Sequence, residues 1–109
     1  LRVLVDARTY TIKPGCTAAH LKIYEELGFP VQVRHIGQPI AYLQAESGEL
    51  NTLLHLWAYE SAADREQRRA SMAKDPAWQK YLAANREAGY LLAQRTTLMT
   101  PVSFAPIKR

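Results

Sequence analysis

The run Leu50–Tyr81, LNTLLHLWAYESAADREQRRASMAKDPAWQKY, carries a strand directly into a capped helix. Between Thr52 and Glu60 the side chains alternate. Leu54, Leu56 and Ala58 share one face of the strand, and Leu53, His55, Trp57 and Tyr59 share the other, because successive strand residues point to opposite sides. The first face is small and aliphatic, as expected under helices. The second combines rings with polar tips, which suits a semi-enclosed cavity or a subunit contact. Ser61 then caps a helix, with Asp64 three residues on in an imperfect capping box. The charged run Asp64 to Arg69 reads as a solvated helix face with opposite charges three or four residues apart. Asp75 before Pro76 is a second helix start, so a break is expected near Lys74. Trp78, Tyr81 and Leu82 give the second segment its apolar side and read as packing residues.

The rest of the chain supplies the partners of this unit. Arg2–Ile12 is a β-branched strand with Val3, Val5, Ala7, Thr9 and Thr11 on one side and Leu4, Asp6, Arg8, Tyr10 and Ile12 on the other. Lys13-Pro14-Gly15 ends it in a turn. A helix follows over Ala18–Leu27, capped at Cys16 or Thr17. After Gly28-Phe29-Pro30 it either restarts at Pro30 or continues as a kinked extension, stopping at Gly37 in both cases. Pro39–Glu46 is a strand that forms a hairpin with the one at Thr52–Glu60 through Ser47-Gly48-Glu49. Gly89 ends the last helical region, Leu91–Thr100 is the final strand, and the proline-bearing tail is extended along a surface or a partner.

The order is therefore β-α-β-β-α-β. This is an α+β, ferredoxin-like, four-stranded antiparallel sheet with helices on one face, spanning residues 1–109 as a single domain. The expected bare face carries Arg8, Tyr10, Tyr42, His55, Trp57 and Tyr59. So many rings call for a second copy of the chain, which predicts a homodimer with the ligand site between the two sheets.

Composition narrows the function classes. With 48% hydrophobic and 22% charged residues the chain is an ordinary globular domain. Its net charge of +4 is scattered among acids, so a nucleic-acid surface is not expected. No apolar run reaches the roughly 20 residues of a membrane span, and no secretory pattern opens the sequence. Leu1 in place of methionine reads as a trimmed or processed start. The single cysteine, Cys16, allows no internal disulfide and agrees with a reducing, cytoplasmic location.

Two stretches, ARTYTIKPG and HLWAYESAADREQRRASMAKDPAWQKY, together with the closing Pro101, Phe104 and Pro106, resemble the NIPSNAP family over nearly the whole chain. The resemblance implies a ferredoxin-like domain assembled as a dimeric α+β barrel. It also implies links to mitochondria and vesicle transport for animal members and no assigned role for bacterial ones. Cys16 and His20 depart from the expected pattern.

Candidate chemistry is sparse. His20, His35 and His55 share no short motif with a carboxylate or the thiol, so no metal site is expected. Neither a nucleophile elbow nor a phosphate-cradling glycine loop occurs, and no cofactor is expected. His55 is the best candidate for proton transfer, set against a hydrogen-bonded core histidine. Arg8 either holds an acidic ligand or pairs with Asp6 or Glu46, and Tyr10, Tyr42 and Tyr59 either line a pocket or fill an interface. Three functions remain: a binding or interaction module for a small aromatic or acidic ligand, a cofactor-independent oxygenase or isomerase, and haem handling.

Overall fold

A computed structural model describes residues 3–108. The elements are β1 (Leu4–Ile12), α1 (Thr17–Ile23), a π-helical turn (Tyr24–Gly28), α2 (Phe29–Ile36), β2 (Ala41–Gln44), β3 (Thr52–Tyr59), α3 (Ala62–Lys74), α4 (Pro76–Ala88) and β4 (Leu91–Met99). Arg2, expected in the first strand, lies outside the described residues. The sheet order is β2-β3-β1-β4 with every neighbouring pair antiparallel, and the helices cover one face. This is the expected ferredoxin-like α+β arrangement.

Local chemistry accounts for the element ends. The Ser61 hydroxyl accepts from the Asp64 amide at 3.0 Å, and the Asp64 carboxylate accepts in return from the amide of Glu60, one residue before the cap, a variant of the expected box. Asp75 separates α3 from α4 by capping Pro76–Ala88 through the Ala77 amide. The same carboxylate accepts from Arg34 at 2.9 Å and pairs with His35 at 2.8 Å, which ties α2 to the α3–α4 junction. Gly37 and Gly89 stop α2 and α4 at positive φ. Between α1 and α2 the chain neither breaks nor restarts. It widens into the π turn, and Gly28 there carries no Cβ because Tyr24 and Tyr81 approach its backbone too closely for one.

The placement of the two sheet faces reverses the expectation. Trp57 and Tyr59 form the core with Ile36 of α2 and Met72 of α3, and Leu53, His55, Trp57 and Tyr59 are all buried beneath the chain's own helices. Arg8 and Tyr42 stand opposite His55 across the ladders and share its face. The rings of Tyr10, Tyr42, His55, Trp57 and Tyr59 therefore are not bare, and they enclose no chamber with a second copy. The uncovered face is the aliphatic one: Ala7, Leu43, Leu54, Leu56, Ala58 and Met99. Period-two alternation groups side chains but does not say which group meets the helices, and both groups here were apolar enough to qualify. Large rings fill the deep space between a flat sheet and round helices, whereas small aliphatic side chains leave a shallow surface.

Candidate ligand-binding site

Between the sheet and the helices lies a cavity of about 280 Å³. Of the residues expected to form a site, Arg8, Tyr10, Tyr42 and His55 line it together. Trp57 and Tyr59 share the face but do not reach the cavity. β1 and β3 bring Arg8 opposite His55, and β2 adds Tyr42 on the other side. The helical layer contributes Tyr24 from the π turn, Arg69 from α3, and Trp78, Tyr81 and Asn85 from α4.

His55 is held on three sides. Its ring stacks on Tyr42 with centroids 4.3 Å apart, and meets the edge of Tyr10 at 4.6 Å. The Trp57 indole Nε1–H donates to His55 Nδ1 at 2.7 Å. An indole nitrogen only donates, so Nδ1 is the lone-pair atom and the neutral imidazole keeps its proton on Nε2. Burial, reinforced by the nearby Arg8 charge, pushes the imidazole pKa down to about 3. His55 is thus neutral at physiological pH, with an N–H on the buried Nε2 that has no partner among the described residues. A base of this kind would have to take its proton in a setting that rejects the cation. With Nδ1 already accepting from Trp57, His55 is a poor proton acceptor.

The charges around the cavity are unbalanced. Asp6 is fully buried, and its Oδ2 accepts from Arg65 Nε at 3.0 Å while Arg8 lies 3.6 Å away. Burial works against the Arg8 cation, but Tyr10, Asp6 and Tyr59 outweigh it and raise its pKa. The Arg8 guanidinium also donates to the Tyr10 hydroxyl at 3.3 Å. Arg69 is half-buried, and among the described residues no carboxylate stands within 4.0 Å of it. Burial raises the phenol pKa values of Tyr24, Tyr42 and Tyr81, which stay neutral. Tyr24 donates its hydroxyl to the Gln32 side chain and stacks on Tyr42, which separates the inner cavity from an outer apolar groove of about 430 Å³ beside α1.

Sequence reasoning missed the helical half of this site. Arg65, Arg69 and Met72 recur at i, i+4 and i+7, so the buried methionine marks a stripe that turns two arginines of the charged run inward. Only Arg68 behaves as the expected solvated partner, donating to Asp64 at 2.8 Å. Trp78 and Tyr81, read as packing, also line the cavity. Among the described residues no group of three His, Cys, Asp or Glu could hold a metal ion, and no helix is long and apolar enough to cross a membrane.

The comparisons with known proteins agree on one family. The NIPSNAP family model matches residues 5–106. A NipSnap homolog of Dictyostelium discoideum is 36% identical over 78 residues, covering 72% of this chain and 34% of that protein. NipSnap homolog 3B of Homo sapiens is 39% identical over 70 residues, covering 63% and 27%. The chain thus spans about a third of the length of these curated relatives. A NIPSNAP family crystal structure from Agrobacterium tumefaciens, described as having unknown function, superposes with a TM-score of 0.89 at 33% identity, covering 97% of this chain and 94% of that one. A putative antibiotic biosynthesis monooxygenase from Chloroflexus aurantiacus, 15% identical with a TM-score of 0.62 and coverage of 97% and 99%, shares the fold alone. With the family model spanning nearly the whole sequence, this chain belongs to the NIPSNAP family.

Proposed function

We propose that this chain is a small-molecule-binding domain without catalysis, taking an aromatic or acidic ligand between its own helices and sheet. The observation that carries the reading is a cavity of about 280 Å³ between sheet and helices, walled by the rings of Tyr10, Tyr24, Tyr42 and Tyr81 and lined by the guanidinium-bearing Arg8 and Arg69. A mostly ring-walled space with a few convergent polar groups is the arrangement that holds and orients a small molecule. The enzyme alternative, a cofactor-independent oxygenase or isomerase, draws only on a shared fold and needs a base that neutral His55 supplies poorly. Haem handling is disfavoured because His55 is 1% exposed and closed in by Tyr42, Tyr10 and Trp57.

The test is an NMR screen of small aromatic and acidic fragments. Ligands should move the Trp57 indole N–H and the His55 ring signals. A screen whose every hit maps outside the cavity sinks the reading.

The same reading includes a homodimer built on the aliphatic sheet face, as in a dimeric α+β barrel. Its support is the exposure of Leu43 and Met99 beside the half-buried Leu54, Leu56 and Ala58, with a self-complementary sheet surface as the natural cover. The exposed Val102 and Phe104 of the tail add apolar surface for a second copy to cover. A cytoplasmic location remains part of the proposal, supported by the lone unpaired Cys16.

A further inference from the structure

Resting on that reading, we infer that the ligand is a small planar organic carboxylate. Its acid group lies between Arg8 and Arg69, and its flat body lies among Tyr24, Tyr42 and Tyr81.

The argument begins with charge. Arg8, Arg65 and Arg69 converge on one side of the sheet–helix layer, and Asp6 is the single buried carboxylate among the described residues. Asp6 Oδ2 accepts from Arg65 at 3.0 Å and stands 3.6 Å from Arg8, and no carboxylate among the described residues lies within 4.0 Å of Arg69. Among the described residues no Asp or Glu lines the cavity, although Arg8 and Arg69 do. Three guanidinium groups share one carboxylate, so the cluster carries an excess of positive charge, and a carboxylate is the anion whose two oxygens match a guanidinium fork. The protein's own phenols do not serve, because burial keeps them protonated.

Shape and hydrogen bonding restrict the anion further. A volume of about 280 Å³ sits just below the usual range for small-molecule pockets, which begins at roughly 300 Å³, so one ring or a short conjugated chain fits. The walls are flat: Tyr24 stacks on Tyr42 at 5.1 Å and meets Tyr81 edge-on at 5.7 Å. The Tyr10 hydroxyl and the Gln94 amide stand among the lining groups and offer further hydrogen bonds to a carboxylate oxygen or a neighbouring carbonyl. Inorganic phosphate satisfies the charge but not the rings.

The test titrates the full chain with benzoate, with its neutral isostere benzamide and with inorganic phosphate, reading the Trp57 indole, His55 ring and Arg69 Nε signals by NMR at neutral pH. Benzoate should bind at least about tenfold tighter than benzamide, a ratio that corresponds to about 1.4 kcal/mol. Arg69→Gln should bring the ratio to within about twofold, and Arg69→Lys should retain part of it. A fold-preserved spectrum of each variant shows that the change is local. Equal binding of acid and amide overturns the anion assignment and leaves the cavity reading standing. Phosphate binding as tightly as benzoate overturns the planar assignment. No cavity shift from benzoate or benzamide at about 10 mM, enough to saturate a site with a Kd of about 1 mM, overturns both the inference and the reading beneath it.

Discussion

Gly28→Ala tests whether the π turn is shaped by the rings beneath it. Gly28 has φ −98° and ψ −51°, a right-handed helical conformation open to any residue, so alanine meets no backbone penalty there. In an isolated helix the exchange gains about 1 kcal/mol. Here an added Cβ lies 2.8 Å from Tyr24 Cδ1 and 3.0 Å from Tyr81 Cδ1 and Cε1. These atoms cannot yield freely. Tyr24 is locked by Tyr42, Phe29, Tyr81 and its bond to Gln32, and Tyr81 packs on Trp78. Overpacking of this kind costs typically about 1–3 kcal/mol, so the net effect is a loss on the order of 1 kcal/mol. Urea denaturation reads it as a lower midpoint at unchanged slope, and a thermal melt as a drop of about 4 °C or more. In a Tyr81→Leu background one of the two clashes is removed, and the cost of alanine should shrink by a measurable coupling energy. A Gly28→Ala protein more stable than the parent would refute the argument, since it would show the rings moving aside at no cost.

Four further outcomes follow from particular contacts. The folded His55 resists protonation down to about pH 3 while the unfolded imidazole titrates near 6.5. As pH falls below 6.5 the unfolded state therefore gains the proton first, and stability drops by up to about 1.4 kcal/mol per unit. Urea midpoints between pH 7 and pH 4 should fall less steeply in His55→Gln, and equal slopes would contradict the buried neutral assignment. Arg65→Met strands the Asp6 carboxylate with only the longer Arg8 contact, and should cost on the order of 2 kcal/mol, with Asp6→Asn in the same chain restoring part of it. Ser61→Ala removes the acceptor of the Asp64 amide and should lower stability by about 1 kcal/mol in the same denaturation assay. The proposed homodimer predicts that the parent sediments as a dimer and that Leu56→Glu, which places a charge on the aliphatic face, sediments as a monomer; a monomeric parent would remove the proposal and an unchanged dimer would move the interface elsewhere.

Much of the fold was legible in local chemistry because each signal acts over a few residues. Ser61, Asp75, Gly37 and Gly89 mark helix ends through single caps or a left-handed φ, and the alternation from Thr52 to Tyr59 groups side chains correctly. Element order then restricts the topology to an antiparallel sheet with β3 and β1 at its centre. Arg8, Tyr10, Tyr42 and His55 were likewise recognisable as one set, since strand pairing brings equivalent phases together.

What the tertiary structure alone decided was the side of the sheet on which that set lies, and which helical residues close over it. Alternation has a period but no absolute phase relative to the helices, so an aromatic row and an aliphatic row were equal candidates for the covered face. Arg69 illustrates the second gap. Within the sequence it belongs to a charged run of the kind a solvated helix carries, and only packing of α3 on β3, with Met72 buried at its foot, turns it toward the cavity. Periodicity and capping are local properties of the chain, whereas the surroundings of a charged side chain depend on which distant surfaces meet.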